Sequence, residues 1–212
     1  PKGLMAVEHY LVVRNLMYRS VYNHRLNIVC NWMLEQLIQL ARRLGPSHVW
    51  CDSVMQRWLW DPDALDLTSF LANDDLRTGY HLQRWREDGP EELAQLCGRF
   101  LDRRLLKAIG VGHLDSGDQL KALARARQLT EACGLEPDLN CGLRHQHQRG
   151  YHPYKSGLRL WDGQQLQALE QASPLVQSLT TPAKAAWLIH PREIGNKLSN
   201  ALQKEKSWGI SS

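Results

Sequence analysis

The chain has 212 residues, of which 43% are hydrophobic and 23% charged, so it is long and apolar enough for one or two folded domains. This composition excludes a chain that is disordered throughout. No run approaches eighteen uncharged apolar residues, and no apolar block near the start is followed by a small-residue cleavage site. We therefore expect no membrane span and no signal peptide. The five scattered cysteines favour reduced thiols, so a cytoplasmic protein is expected.

The net charge of +4 is unevenly distributed along the chain. Residues 1–50 hold six Lys and Arg against two Asp and Glu, and residues 141–212 hold nine against four. Residues 51–140 instead hold eleven against sixteen. Two basic segments that flank an acidic middle indicate an anionic partner. A nucleotide, a nucleic acid and the acidic surface of a neighbouring subunit all fit this pattern.

The first segment, from Leu4 to Leu44, predicts one very long helix or two abutting helices. No Pro or Gly follows Gly3 until Gly45 and Pro46, which together end a helix. The middle of the chain predicts shorter helices, because turn and capping residues divide its apolar repeats. These dividing residues are Asp61-Pro62, Asn73-Asp74-Asp75 and Gly89-Pro90.

Short apolar runs after Arg104 predict strands among helices. The expected strands are 105–111, 157–163 with an Asp162-Gly163 turn, and 185–189. A capping box at Ser116 predicts a helix that ends at Gly134, and residues 192–206 predict a terminal amphipathic helix. The fold class expected is mainly α, with a long N-terminal helix, a helical body and a small α+β subdomain at the C-terminal end. The corresponding divisions are residues 1–104, 105–206 and a frayed tail at 207–212.

Arg14, Tyr18, Tyr22 and Arg25 lie on one side of the first segment if it is a continuous α-helix. At 3.6 residues per turn they form a stripe about 16 Å long. Two guanidinium groups and two phenols suit a nucleoside triphosphate, since Arg binds phosphate oxygens and Tyr contacts the sugar or base. A solvated helix face with extended arginine side chains is the alternative that spacing alone leaves open.

The segment Arg14-x-x-Met17-Tyr18-x-x-Val21-Tyr22-Asn23-His24-Arg25 resembles the signature helix of HD-domain phosphohydrolases. The similar branch contains deoxynucleoside triphosphate triphosphohydrolases and their bacterial relatives. The resemblance implies that Arg14, Tyr18, Tyr22, Asn23 and Arg25 bind a nucleotide substrate. Further segments resemble that family in the same order and extend the likeness over nearly the whole chain: Leu71-x-x-Asp74-Asp75, Leu101-x-Arg103-Arg104-Leu105-x-Lys107, Tyr151-x-Pro153-Tyr154, Ser173-Pro174-Leu175 and Pro191-Arg192-Glu193.

The metal ligands of that family, a His, a His-Asp pair and a later Asp, have no counterpart here. None of the nine histidines is followed by Asp, and only thirteen residues precede Arg14, where the family has its ligands. Together with the absent initiator Met, this predicts a C-terminal fragment that binds substrate and assembles as a homo-oligomer. We expect the fragment to be inactive and to hold no cofactor, while the full-length parent would use a divalent metal.

Two weaker patterns leave their interpretation open. The resemblance makes Arg103 and Lys107 candidates for a regulatory nucleotide contact, although cations are also common at the C-terminal ends of helices. Cys133, Cys141, His145, His147 and His152 crowd one stretch, but they lack the close pairs of a metal site and are read as a loop. A nonenzymatic nucleotide- or nucleic-acid-binding module remains the alternative function, and its binding would fall steeply with salt.

Overall fold

A computed structural model describes residues 2–153, 157–161 and 163–207 of the chain. Tyr154 of the family-like segment, Asp162 of the expected turn and residues 208–212 of the expected tail lie outside the described residues. Eleven α-helices are assigned within the described ranges, and none has the length and apolarity needed to cross a bilayer. They are α1 Lys2–Met17, α2 Arg25–Leu44, α3 Ser53–Trp60, α4 Leu67–Ala72, α5 Asp75–Asp88, α6 Glu91–Leu101, α7 Ser116–Glu131, α8 Pro137–Asn140, α9 Leu169–Ala172, α10 Pro174–Thr180 and α11 Gly195–Ser207.

The strands confirm the expected fold class, which is mainly α with a small sheet near the C-terminal end. The described strands are β1 Lys107–Gly110, β2 Gly142–Gln148, β3 Arg159–Trp161, β4 Leu166–Ala168 and β5 Ala183–His190. β1, β5 and β2 form a sheet in that order, with β2 antiparallel to β5 and Gly142 opposite Ile189. β3 and β4 form a separate antiparallel pair.

The described chain divides into two compact units. The sheet unit comprises Pro1–Ile28 and Ala108–Ser212, and the helical unit comprises Val29–Lys107. The sequence-based division placed residues 1–28 with the helical region, whereas they belong to the same compact unit as the sheet. A compact unit need not fold alone, so the division into domains stays a prediction.

The sheet unit contains two apolar cores. One face of the sheet packs on α7 and α11 through Ala126, Leu188 and Leu198, all of which are fully buried. A second core joins Leu11 of α1 to Tyr151 and to side chains of α9 and α10. Burying these apolar side chains stabilises the fold and fixes the inner side of α1.

Aspartates begin several helices of the acidic middle and account for much of its charge. Asp52, Asp66, Asp74 and Asp115 each accept backbone N–H groups at the start of a helix, as good N-cap residues do. The expected cap at Asp74 is therefore confirmed, which also assigns Asp74 a structural role. The capping box expected at Ser116 was wrong, because the carboxylate of Asp115 accepts the Asp118 N–H at 2.8 Å.

A buried histidine joins two helices of the helical unit. His81 is fully buried, and its Nε2 accepts the Asp52 backbone N–H at 3.2 Å. Its Nδ1 lies 2.8 Å from the Arg77 carbonyl oxygen and must donate a proton to it. These two partners fix the ring orientation, with a proton on Nδ1.

Candidate functional site

The helix predicted for the first segment changes geometry at the residues of interest. α1 ends at Met17, residues Tyr18–Tyr22 form one π-helical turn, and α2 begins only at Arg25. The Asn23 N–H donates to the Tyr18 carbonyl oxygen at 2.7 Å, which is the i to i−5 bond of a π turn. The assumption of one continuous α-helical stripe was therefore wrong beyond Met17, and two helices are present.

Polar side chains after the turn bond to backbone groups where the helix is interrupted. Asn27 Nδ2 donates to the Val21 carbonyl oxygen at 2.7 Å and so satisfies a group that a continuous helix would have bonded internally. His24 Nδ1 accepts the Leu26 N–H at 3.3 Å and caps the start of α2. His24 is exposed, and its contact with the backbone is this cap.

The π turn brings three predicted site residues into one stack. The guanidinium carbon of Arg14 lies 4.9 Å from the centre of the Tyr18 ring. The Tyr18 and Tyr22 rings lie 5.1 Å apart, with their planes tilted by 44°. Arg14 and Tyr18 are four positions apart at the end of α1, where such side chains are neighbours on one face, and the π turn continues the row to Tyr22. The result is a continuous stack of Arg14, Tyr18 and Tyr22, named here the Arg-Tyr stack.

Two hydrogen bonds from distant positions in the chain hold the segment from Arg14 to Asn23 at its two ends. Arg14 Nη1 donates to the Gly150 carbonyl oxygen at 3.4 Å, and Gln146 Nε2 donates to Asn23 Oδ1 at 3.3 Å. Both partners belong to β2 or to the segment that follows it. Sequence reasoning missed Gly150 and Gln146, because no local pattern links residues more than 120 positions apart.

The remaining predicted site residues lie elsewhere. Arg25 is exposed at the first position of α2, just beyond the π turn. Arg103 and Lys107 are exposed residues of the helical unit, and Arg103 has a φ of 55°. That left-handed conformation is uncommon for a residue with a side chain, and it lets the Arg103 N–H bond the Phe100 carbonyl oxygen after α6.

Four of the five cysteines are poorly suited to act as nucleophiles. Burial raises the pKa of Cys51 and of Cys97 to about 12, so both remain protonated thiols at neutral pH. Burial also raises the pKa of Cys30 and of Cys141 above the ordinary value. A thiol with a raised pKa is a poor nucleophile, which argues against covalent catalysis by these four side chains.

Side chains of the types that bind metals do not gather into a site in the described part of the chain. Within residues 2–153, 157–161 and 163–207, no group of three or more His, Cys, Asp and Glu side chains is placed to hold a metal ion. The stretch around Cys141, expected to be a loop, instead forms β2, which contains both His145 and His147. His145 and His147 are two positions apart in the strand, so their side chains face the same side of the sheet. His145 Nε2 lies 2.8 Å from Gln119 Oε1, and the two histidines are not part of a ligand cluster.

Comparison with known proteins places this geometry in a recognisable fold. No protein-family model matches the chain. The uncharacterized protein YwfO of Bacillus subtilis (strain 168) is 22% identical over 202 residues, a match that covers 91% of this chain and 46% of YwfO. The crystal structure of a phosphohydrolase from Bacteroides thetaiotaomicron VPI-5482 superposes with a TM-score of 0.71. The chain shares that fold.

The extent of these matches limits what they establish. The phosphohydrolase match has 20% identity and covers 90% of this chain but 51% of that protein. A hypothetical protein from Aquifex aeolicus matches with a TM-score of 0.56 and 17% identity over 95% of this chain and 46% of its own. The chain therefore spans about half the length of the proteins it matches. At such identities the likeness concerns the fold, and function must be argued from the residues.

Proposed function

We propose that this chain is the substrate-binding and assembly portion of a metal-dependent HD-type phosphohydrolase that acts on a deoxynucleoside triphosphate or a similar nucleotide. The observation that carries the proposal is the Arg-Tyr stack, in which the Arg14 guanidinium lies 4.9 Å from the centre of the Tyr18 ring and the Tyr18 and Tyr22 rings lie 5.1 Å apart. Its rings are accessible, since Tyr18 is 38% exposed and Tyr22 is 57% exposed. The fold shared with a protein described as a phosphohydrolase supports it.

The chemistry of the stack suits a phosphate joined to an aromatic base. A guanidinium group has five N–H donors, and the contact with Gly150 uses one of them. The others can bind phosphate oxygens in pairs. The Tyr22 ring offers an exposed π face to a sugar or base, and the two phenol hydroxyls can donate to further oxygens. Asn23 and Arg25 extend the same region beyond the π turn.

The divalent metal of such a reaction does not fit the residues of this chain. The described residues hold no cluster that could bind it, so we assign no metal ligand here and derive no catalytic step through a metal. The role proposed for the chain is to bind and orient the nucleotide. By itself it should be inactive.

The outer side of α1 supports a role in assembly. Tyr10, Leu16 and Met17 are all at least 47% exposed, and Met5 is 69% exposed. Large apolar side chains exposed together along a helix usually mark a protein interface. We propose that this face is covered in the assembled protein, with a second copy of the chain as one component.

Binding of a nucleotide to the isolated chain tests the proposal. dATP is titrated into the wild type and the variants Arg14→Ala and Arg14→Lys by calorimetry. Loss of a charge-assisted contact costs about 1.5–3 kcal/mol, so Arg14→Ala should weaken binding about ten- to a hundredfold. Arg14→Lys should recover only part of this loss, since a point charge cannot reproduce a planar two-donor contact.

Substitutions of tyrosines separate the ring from the hydroxyl. Tyr22→Leu should weaken dATP binding more than Tyr22→Phe, because only the first removes the stacking surface. Tyr10→Phe is the matched control, since Tyr10 is 64% exposed on α1 but lies outside the Arg-Tyr stack. If dATP does not bind, or if a folded Arg14→Ala variant binds it unchanged, the assignment of this site is wrong.

Hydrolysis provides a second, independent measurement. The chain is incubated with dATP and Mn²⁺ or Mg²⁺, and released phosphate and triphosphate are quantified. We expect no release above background, because the described residues offer no metal site. Clear metal-dependent release that Arg14→Ala abolishes would instead make the chain an enzyme in its own right.

A further inference from the structure

A pocket of about 680 Å³ opens in the sheet unit, lined by residues that the proposed function does not use. Its lining side chains are His147, Arg149, His152, Pro182 and Lys184. Small-molecule sites commonly have volumes of about 300–1,000 Å³, so the pocket can hold a compact ligand. The lining contains two cationic side chains, two imidazoles and a proline, with no carboxylate among them.

The sheet register brings two of the nitrogen-bearing side chains together. His147 near the end of β2 lies directly opposite Lys184 near the start of β5 in the antiparallel pairing. Residues opposite each other in such a pair project to the same face, with their Cβ atoms about 5 Å apart. The two side chains therefore lie side by side in the lining of the pocket. No local sequence motif links them, because they are on different strands.

The other two basic side chains belong to the segment after β2, whose backbone is held by contacts with other parts of the sheet unit. Arg149 and His152 flank Gly150 and Tyr151, whose backbone groups bond to Arg14 and to the Leu179 carbonyl oxygen. A Cβ added at Gly150 would lie 2.9 Å from Leu179 Cδ2, so the backbone approaches its neighbours too closely for a side chain. A pocket wall held in this way is formed before a ligand binds, which lowers the entropic cost of binding.

The cations of the pocket have no counter-charge in the described chain. Neither Arg149 nor Lys184 forms an ion pair with residues 2–153, 157–161 or 163–207, although many arginines of the helical unit pair with aspartates. Two uncompensated cations around one cavity repel each other, and an anion bound between them would relieve that repulsion. A metal cation would add to it, and no three-ligand cluster is present in the same described part of the chain.

We propose that this pocket binds a small phosphorylated molecule through its polyphosphate group, as a site additional to the Arg-Tyr stack. Lys184 supplies a compact positive charge, and Arg149 supplies paired donors for two phosphate oxygens. His147 and His152 add ring N–H donors from both sides of the cavity. A compact polyanion suits this local cluster of basic side chains, whereas the extended backbone of a nucleic acid would follow a longer basic groove.

Titration of the full chain with inorganic tripolyphosphate tests this site. The wild type should bind the probe in a saturable manner with about one molecule per chain. Lys184→Ala and Arg149→Ala should each weaken binding about tenfold or more, the usual effect of losing a charge-assisted contact. Both side chains are exposed, so we expect the variants to remain folded, which thermal melting verifies.

A charge-matched control distinguishes a site from general attraction. Lys197 is exposed on α11 in the same unit, and Lys197→Ala removes the same charge outside the pocket. We expect Lys197→Ala to bind tripolyphosphate as the wild type does. Equal losses for Lys197→Ala and Lys184→Ala, or unsaturable binding, would overturn the proposal by showing attraction to net charge alone.

Two further results would also overturn it. Tripolyphosphate binding that Lys184→Ala and Arg149→Ala leave unchanged would place the probe elsewhere on the chain, including at Arg14. A single-stranded oligonucleotide without terminal phosphates that binds more tightly than tripolyphosphate, and loses affinity in Lys184→Ala, would assign the pocket to nucleic acid. Loss of dATP binding in Arg14→Ala is a separate outcome and does not decide this proposal.

Discussion

Replacement of Asp52 by alanine should destabilise the helical unit more than the loss of an ordinary helix cap. Asp52 Oδ1 accepts the N–H groups of Val54 at 3.1 Å and Met55 at 2.8 Å, which caps α3. Its Oδ2 accepts a bond from Arg77 Nη1 at 2.5 Å. The Asp52 and Arg77 side chains are 31% and 32% exposed, so water only partly screens the ion pair.

The two roles of Asp52 can be assigned separate energies. Loss of an N-cap costs about 1 kcal/mol. A charge-assisted hydrogen bond is worth about 1.5–3 kcal/mol when well shielded, and we reduce this to about 1 kcal/mol because both groups are near one-third exposed. Asp52→Ala should therefore lower the free energy of unfolding by about 2 kcal/mol. Asp52→Asn keeps an oxygen for the cap and should cost about 1 kcal/mol.

Urea unfolding of matched variants measures these differences. Asp74→Ala is the control, since Asp74 caps α5 through one bond to the Arg77 N–H and forms no ion pair with the described residues. A double-mutant cycle of Asp52→Asn with Arg77→Met isolates the coupling between the two charges, expected at about 1 kcal/mol. The reasoning is refuted if Asp52→Ala costs no more than Asp74→Ala at an unchanged m-value, or if the coupling is zero.

Four further predictions concern other parts of the chain. Alkylation of the folded chain at pH 8 should modify the exposed Cys133 well before Cys51 or Cys97, as peptide mass spectrometry would show; equal rates would contradict their burial. Since those two pKa values rise from 9.0 to about 12 on folding, stability should fall as the pH rises from 9.0 towards 12, when only the unfolded thiols ionise. Gly150→Ala should lower the melting temperature, because its Cβ would lie 2.9 Å from Leu179, whereas Gly134→Asn, in open space with a φ of 73°, should change it little. Light scattering should show self-association through the exposed face of α1, and a monomer at high micromolar concentration would contradict the proposed assembly.

Local chemistry determined the parts of the fold that the sequence predicted well. Gly45-Pro46 and Gly89-Pro90 follow the ends of α2 and α5, because Pro lacks an N–H donor and disfavours a helical conformation in the residue before it. Gly45 also adopts a left-handed conformation with a φ of 81°. The Asp74 carboxylate caps α5 by accepting the N–H of Arg77, which is only three residues further along the chain. The apolar run at 185–189 predicted β5, since a buried strand is continuous in apolar side chains. Each of these signals acts over a few residues and can be read without the rest of the chain.

Tertiary contacts decided the features that matter most for the candidate sites. The polar sequence of β2 gives no strand signal, and it forms a strand because β5 satisfies its backbone groups along seven paired positions. The residue types of the Arg-Tyr stack were evident from the sequence, but the π turn that aligns them was not. Arg14 reaches Gly150 across 136 positions, and His147 meets Lys184 only through strand register. Such pairings depend on which distant surfaces bury each other, and no local pattern of residues contains that information.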